Sequence, residues 1–220
     1  MRLSFLAAAL VAASLQPTLA QDAGTLDWTG GYVGAQAGVG SGSVTYVYNT
    51  APPNIITFEA NGFVAGVLGG YDWQYGNLVF GISGEITGTT ISGSITGTQY
   101  PCSFMQTCTF SATWLGTAEV RAGVVIDRFM PFVTAGLAVG GISGAVDWSA
   151  CFPASSTCAF DEMAIGKTFG AGVEVAIDEH ISLSGKLQRM DLGAPEFPNN
   201  SVSSNDIVFN TMTFGANWRF

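Results

Sequence analysis

The chain has 220 residues, of which 48% are hydrophobic and only 10% are charged, whereas about 25% of the residues in a typical soluble domain are charged. With 29 glycines and many aromatic residues, this composition favours an all-β protein with part of its surface turned away from water. The net charge of −9 and the lack of any basic cluster exclude a nucleic-acid-binding function.

The N-terminus predicts a cleaved secretory signal. Arg2 is a short positive region, residues 3–15 are apolar, and TLA at 18–20 is a cleavage site with small residues. A membrane-anchoring helix is the alternative, but a span needs about 20 apolar residues, and Gln16 and Pro17 interrupt this one.

No later stretch contains about 18 consecutive apolar residues, the length expected of a spanning helix. The exported chain is therefore soluble, or it crosses a membrane as a closed β-barrel. A closed barrel is the other structure in which every backbone polar group is satisfied within the membrane.

Eight segments alternate between apolar and small or polar residues, which is the period-2 pattern of a β-strand. In chain order they are 31–40, 63–75, 78–86, 114–125, 131–140, 168–177, 181–190 and 212–220. In the first of them Val33 and Val39 share one face, while Gln36 lies on the other. The non-apolar row of each segment consists mainly of Gly, Ser and Thr, which suits a crowded barrel interior.

The connections between these segments alternate in length. Short turns are predicted at 75–77, 126–129 and 177–180, and long loops at roughly 41–61, 88–110, 141–165 and 193–206. Aromatic residues gather near the short turns: Tyr71, Trp73, Tyr75, Phe129, Phe132, Trp218 and Phe220. An even strand number, alternating loop lengths and an aromatic girdle are typical of bacterial outer-membrane barrels.

Two soluble all-β folds also alternate. A β-sandwich would need many charged residues on its solvent face, and the chain has few. A lipocalin-like barrel would place an apolar cup inside and charges outside, and the same scarcity argues against it. The transmembrane barrel is the favoured interpretation.

Five stretches, WTGGYVGAQAGVG, GYDWQYGNLVFGISGEI, WLGTAEVRAGVVIDRFMPFVTAGLAVGG, FGAGVEVAIDEHISLSGKLQRMDLG and GANWRF, resemble the small outer-membrane β-barrel proteins of alphaproteobacteria. These are porin-like surface antigens, some described as haemin-binding. The resemblance extends from Trp28 to the C-terminus and implies an eight-stranded, OmpA-like barrel. The family usually has a basic residue where Glu119 stands and an acidic one at Ser83 and Lys186, so the charge around the lumen is rearranged here.

The chain ends on an alternating strand whose apolar row includes Phe214, Trp218 and Phe220. The resemblance implies that this terminal aromatic row is the signal read by the barrel-assembly machinery. The three residues are therefore predicted to form an assembly signal.

Four cysteines fall in two of the predicted long loops, Cys102 and Cys108 in one and Cys151 and Cys158 in the other. Export to an oxidising compartment favours disulfides, and four cysteines allow three pairings. We predict the local pairing, with cross-pairing between the loops as the alternative. A zinc site is not predicted, because neither a CxxC pair nor a nearby His is present.

Seven charged residues fall on the predicted inner face: Asp72, Glu85, Glu119, Arg121, Glu174, Lys186 and Arg219. Eight strands leave an interior just wide enough for side chains, and buried charges must be paired. We interpret the set as a structural network of ion pairs and hydrogen bonds. The lining of a narrow ion or solute path is the alternative.

Chemistry in the lumen or loops has little support in the sequence. The sole His, His180, falls in a short turn at the predicted periplasmic end, and no G-x-S-x-G motif is present, so no catalytic residues are predicted. Tyr can ligate haem iron, and Tyr46 and Tyr48 fall in the first predicted long loop, but no cofactor is assigned.

The sequence thus predicts a signal peptide at 1–20 and an outer-membrane β-barrel domain at 21–220. The predicted function is structural and surface-exposed, with at most a narrow passive pore for small solutes. Binding of haemin or another ligand, or adhesion, through the extracellular loops is the alternative, and a lipid-modifying enzyme is the least supported. Expected partners are outer-membrane lipids, lipopolysaccharide and the barrel-assembly machinery; no oligomeric state is predicted.

Overall fold

In a computed structural model of the chain, the residues described are 26–48, 53–97, 102, 107–146, 159–193 and 202–220. The predicted signal peptide lies outside these residues, and so do Cys151 and Cys158. Within the described ranges there is no helix long and apolar enough to cross a membrane.

The described residues form one antiparallel sheet that closes on itself. Its strands are β1 (Gly30–Tyr48), β2 (Asn54–Tyr75), β3 (Leu78–Thr89), β4 (Ser92–Thr96), β5 (Thr107–Val124), β6 (Phe129–Val146), β7 (Ala159–Ala176), β8 (Ile181–Asp191) and β9 (Val202–Arg219). Strand β1 pairs with both β2 and β9, which closes the ring. Strands β3 and β4 both lie between β2 and β5 and act as one interrupted strand. The predicted closed barrel of eight antiparallel strands is confirmed.

The short connections lie where the sequence predicts them, between β2 and β3, β5 and β6, and β7 and β8. Gly76 (φ +62°) and Asp127 (φ +54°) adopt the left-handed conformation that two of these turns require. In the third, the Asp178 carboxylate accepts the backbone N–H groups of His180 (2.8 Å) and Ile181 (2.7 Å). The start of β1 and the end of β9 are on this side, because Tyr32 pairs with Arg219.

The strands are longer than predicted. Much of the sequence assigned to long loops continues the ladders, so that β1 runs to Tyr48 and β2 begins at Asn54. The predicted loops at 41–61, 88–110, 141–165 and 193–206 are therefore too long. Strand occupies 41–48 and 54–61 of the first, 88–89, 92–96 and 107–110 of the second, 141–146 and 159–165 of the third, and 202–206 of the fourth. The alternation of side chains persists in these extensions, but the polarity of the two faces is reversed.

The lower part of the barrel, next to the short turns, has an apolar outer surface. Phe63 is 72% exposed and Phe214 60% exposed, although both belong to well-paired strands. The aromatic girdle includes Tyr71, Trp73, Tyr75, Phe129, Trp218 and Phe220, all exposed. Phe132 is the exception to the predicted girdle, because it points into the lumen and is only 7% exposed.

The upper part, next to the long loops, is filled with apolar side chains. We call this cluster the upper core; it comprises Val44, Tyr46, Ile56, Phe58, Ala60, Val64, Ile91, Cys102, Cys108, Phe110, Ala112, Leu115, Ala138, Ile142, Ala164, Met190, Leu192, Ile207 and Phe209. A register shift in β5 between Ala112 and Trp114 lets both Ala112 and Leu115 face inward. Such bulges change which side chains face the interior.

Candidate functional site

The lumen between the upper core and the short turns holds the seven predicted charged residues, which form two clusters. The lower charge cluster consists of Asp72 on β2, Arg121 on β5, Glu174 on β7 and Arg219 on β9. Each belongs to the inner row of its strand, and all four are buried. The strands therefore bring together residues that are as far apart in the chain as Asp72 and Arg219.

The lower charge cluster is balanced, with two guanidinium groups and two carboxylates. Arg121 binds Glu174 directly, and its Nη1 lies 3.5 Å from Asp72 Oδ2. Arg219 Nη2 donates to Asp72 Oδ2 at 2.8 Å and to Glu174 Oε1 at 3.1 Å. Each carboxylate is thus shared between two cations, which is the arrangement that makes buried charges tolerable.

Neutral side chains complete the lower charge cluster. Glu174 Oε1 also accepts the Ser182 hydroxyl at 2.5 Å and the Asn217 amide at 3.1 Å. The Arg121 guanidinium lies 4.1 Å from the centre of the Phe132 ring, within the range of a cation–π contact. The inward position of Phe132 therefore has a clear electrostatic reason.

The upper charge cluster contains Glu85 on β3, Glu119 on β5 and Lys186 on β8. Lys186 Nζ donates to Glu85 Oε1 at 2.6 Å and also binds Glu119. Further donors to the two carboxylates are Gln36, Thr134, Thr168 and Gln188. Two carboxylates share one ammonium here, so the excess negative charge of the lumen resides in this cluster.

An apolar cluster, the lower plug, closes the lumen below the charges. It consists of Trp28, Val79, Met130 and Ala176, all buried. Trp28 precedes β1 and folds under the barrel, where its backbone N–H donates to Gln74 Oε1 at 2.7 Å. Its carbonyl accepts Arg219 Nη1 at 2.9 Å, so the lower plug and the lower charge cluster are directly linked.

Little empty space remains in the described part of the lumen. A cavity of about 30 Å³ lies beside Glu85 and Lys186, and one of about 10 Å³ lies beneath Leu115 and Met190. A single water molecule needs about 10–15 Å³. A much larger recess of about 1800 Å³ opens among the short turns, on the far side of the lower plug.

The predicted assembly residues line the outer row at the short-turn rim. Phe214, Trp218 and Phe220 are at least half exposed. The Phe220 N–H donates to the Gly31 carbonyl at 3.0 Å, and its ring covers Gly31, where a Cβ atom would lie only 2.8 Å from the ring. Their outward position is a geometric fact, whereas their role as an assembly signal remains a prediction.

One of the two predicted disulfides joins Cys102 to Cys108, with 5.5 Å between the Cα atoms. Both cysteines are buried in the upper core. Because Cys108 belongs to β5 and pairs with both Ile95 and Val146, this bridge ties the loop to the end of the barrel wall.

Of the two tyrosines considered as haem ligands, Tyr46 is inaccessible. Tyr46 lies within β1 rather than in a loop, is fully buried in the upper core, and donates its hydroxyl to the Thr109 carbonyl at 3.0 Å. The side chain of Tyr48 lies outside the described residues. No group of three or more His, Cys, Asp or Glu residues suited to a metal ion occurs in the described ranges.

The geometry is that of a closed barrel with an apolar outer band and a filled, charged lumen, and the comparisons with known proteins agree with it. The family model described as the outer membrane protein β-barrel domain matches residues 5–220. The chain belongs to this outer-membrane protein family. Its short turns therefore face the periplasm and its long loops face the cell exterior.

Two curated relatives of the family show how far the similarity extends. The chain is 30% identical to the 31 kDa outer-membrane immunogenic protein of Brucella melitensis, over 99% of this chain and 94% of the relative. It is 27% identical to the 22 kDa outer membrane protein of Rhizobium leguminosarum, over 64% of this chain and 58% of that protein. The protein is thus an outer-membrane β-barrel, and the Brucella relative is named an outer-membrane immunogenic protein.

Two solved structures share the fold. OprG from Pseudomonas aeruginosa superimposes with a TM-score of 0.52, at 10% identity, covering 89% of this chain and 99% of OprG. Neisserial surface protein A gives a TM-score of 0.50, at 14% identity, covering 87% and 98%. At these identities the likeness concerns the barrel alone.

Sequence reasoning placed all seven lumen charges on the inner face but missed the apolar residues that enclose them. A signal was present in β1, where Val44 and Tyr46 have the same parity as Tyr32 and Gln36. Extending the inner row upward by period 2 predicts both as inward-facing. Trp28 had no such signal, because it precedes the first alternating residue.

Proposed function

We propose that the protein is a non-conducting, surface-exposed barrel whose interactions take place on its outer wall and at its extracellular end. The observation that carries this proposal is the layering of the lumen. The upper core and the lower plug lie on either side of seven charges that are engaged with one another.

The energetic cost of ion passage supports a closed lumen. An ion leaving the extracellular side would have to enter the upper core, where the rings of Phe110 and Phe209 pack at a tilt with 5.8 Å between their centres. Moving an ion from water to an apolar medium costs of order 20 kcal/mol in the Born limit and still several kcal/mol after relaxation. The charges below cannot offset this cost without breaking their own pairs.

The extracellular extension of the wall favours a display function. Above the apolar band, neighbouring strands are joined on the outside by hydroxyl pairs, such as Thr45 with Thr57 at 3.0 Å and Ser111 with Ser143 at 2.9 Å. The upper core packs behind them, which makes the extension a rigid support for the loops. The Brucella relative is named an immunogenic protein, which fits presentation at the cell surface.

A non-enzymatic role is part of this proposal. His180 lies on a periplasmic turn, where its ring stacks on Trp218 at 5.3 Å, and the relatives are named as outer-membrane or immunogenic proteins. The expected partners are membrane lipids along the apolar band and the barrel-assembly machinery at the Phe220 end.

Conductance across a planar bilayer tests the proposal. The refolded protein should give no channel steps above the lipid baseline. A Phe110→Ala, Phe209→Ala variant, which thins the upper core but leaves the lower plug intact, should also remain closed. Steady single-channel steps from the wild-type protein would instead support the narrow passive pore.

A further inference from the structure

The outer wall of the barrel carries few cations, and two of them lie together. Of the 7 Lys and Arg residues in the chain, three belong to the lumen clusters, and Arg128 lies on a periplasmic turn. Lys167 on β7 and Arg189 on β8 both point outward and are exposed. Arg189 pairs in register with Phe169, so the two cations are diagonal neighbours on adjacent strands.

These cations lie at the upper edge of the apolar band. Leu187 is the last apolar residue of the outer row of β8 before Arg189, and Met212 is the last of β9 before Asn210. With a rise of about 3.4 Å per residue and a tilt of about 40°, Arg189 stands roughly 20 Å above Ile181. Because the apolar band of such barrels is about 25 Å tall, this is the level of the outer-leaflet headgroups.

The local contacts leave both cations available to a ligand. Lys167 lies 3.5 Å from Asp191, but their side chains are 65% and 34% exposed, and exposed pairs are weak. Arg189 donates Nη1 to Asn210 Oδ1 at 3.3 Å, and a guanidinium carries five N–H donors. Exposed apolar side chains surround the pair: Leu137, Ile165, Phe169 and Leu187.

This arrangement is amphipathic, because exposed apolar side chains lie below each cation: Leu187 below Arg189 on β8, and Phe169 below Lys167 on β7. On β7 the exposed Ile165 and Met163 also continue the apolar outer row above Lys167. The arrangement matches a molecule that carries a phosphate at the membrane surface and acyl chains below it. Arginine and lysine bind phosphate through charge-assisted hydrogen bonds, and basic sites at a membrane surface select anionic headgroups. The acidic character of the rest of the chain makes the placement of two cations at this level more informative.

We propose that Lys167 and Arg189 form a binding site for the phosphate of an outer-leaflet lipid, with the acyl chains lying against Phe169 and Leu187. The inference deepens the proposed function, because it assigns one specific interaction to the outer wall. Diphosphoryl lipid A is the probe that this chemistry indicates. Asp191 weakens the site by competing for Lys167.

Native mass spectrometry of the refolded full chain, released from detergent micelles containing diphosphoryl lipid A, tests the site. Lys167→Gln and Arg189→Gln should each reduce lipid retention by about fivefold to tenfold, the value of one charge-assisted contact. Asp191→Asn should increase retention, because it removes the competing charge while keeping the oxygen that accepts the Gly193 N–H. Arg128→Gln, which removes a cation from the opposite rim, is the matched control and should change nothing.

Four results would overturn the site. Three are retention of lipid A by the Lys167→Gln, Arg189→Gln double variant equal to that of the wild type, an equal loss in Arg128→Gln, and equal retention of dephosphorylated lipid A. The fourth is displacement of lipid A by millimolar inorganic phosphate, because that would show that the contacts of the acyl chains with Phe169 and Leu187 add no affinity. Migration on a detergent gel before and after boiling checks that each variant is folded, because a folded barrel migrates differently from the unfolded chain. Conductance is measured separately, so a barrel that conducts but retains lipid A refutes the proposed function and leaves this site standing.

Discussion

Arg121→Ala is the substitution that tests the lumen most directly. Arg121 is the cation that binds Glu174, approaches Asp72, and covers the Phe132 ring. Its removal leaves both carboxylates of the lower charge cluster with Arg219 as their shared cation. The substitution therefore creates excess negative charge in a part of the barrel where the side chains leave a cavity of only about 30 Å³.

The magnitude follows from the contacts that survive. Breaking a buried ion pair by removing one partner costs about 3–5 kcal/mol. Glu174 keeps the hydroxyl of Ser182 and the amide of Asn217, which places the expected loss near the lower end, about 3 kcal/mol. In an Arg121→Met, Glu174→Gln double variant no charge is stranded, and the two substitutions should couple by about 2–3 kcal/mol.

Urea unfolding in detergent micelles measures these differences by linear extrapolation, with the boiling-dependent gel shift as a second probe. Arg128→Ala is the control, because this cation lies on an exposed turn and donates to the Ile177 carbonyl. A loss below about 1 kcal/mol for Arg121→Ala, as for surface ion pairs, would refute the buried network. Unchanged stability with raised conductance would show a water-filled path instead.

Three further predictions concern the C-terminus, the disulfides and the periplasmic turn. Deleting Phe220 should lower surface abundance in cells far more than it lowers refolding in detergent, whereas Phe220→Tyr should be tolerated; equal losses in both assays would make Phe220 only a packing residue. Non-reducing peptide mapping should find Cys102 joined to Cys108 and Cys151 joined to Cys158, and reduction should leave the gel shift intact; a peptide linking the two loops would contradict the local pairing. The backbone N–H groups of His180 and Ile181 lower the pKa of Asp178. The ionised Asp178 carboxylate therefore stabilises the fold above its unfolded-state pKa of about 3.9, and this stabilisation is lost as the pH falls through the lower folded-state pKa. Unfolding rates of Asp178→Ala should therefore exceed those of the wild type near neutral pH and converge with them in strong acid, and a difference that persists in acid would show that the ionised carboxylate is not the cause.

The strand number, the turns and the inward set of charges could be predicted because each depends on period-2 alternation alone. Asp72, Arg121 and Glu174 have the parity of the inner row in strands whose other row is apolar. Once the apolar row is assigned to lipid, the position of each charge follows. Pairing across the barrel could not be predicted, because it depends on register between strands distant in sequence.

The extracellular extensions were predicted as loops for a physical reason. A strand of this barrel is recognisable from sequence where its outer row is apolar, and that row ends near Val39 on β1 and Phe63 on β2. Beyond these positions the outer surface faces water instead of lipid, so the outer row becomes polar. The apolar side chains there, such as Val44 and Phe58, face inward and form the upper core. The register shift in β5 near Ala112 also changes which alternate residues face inward, and no local sequence pattern predicts this change.

The last strand unites assembly with closure of the lumen. Pairing of β9 with β1 places Arg219 opposite Tyr32 and closes the ring, and the same step brings Arg219 to Asp72, Glu174 and the carbonyl of Trp28. A barrel that lacks this strand has an open edge and also leaves Arg121 as the only arginine for two buried carboxylates. Ring closure, charge pairing and docking of the lower plug are therefore coupled at the residue next to Phe220. If the terminal aromatic residue directs the pairing of β9 with β1, the same step completes the barrel wall and closes the lumen.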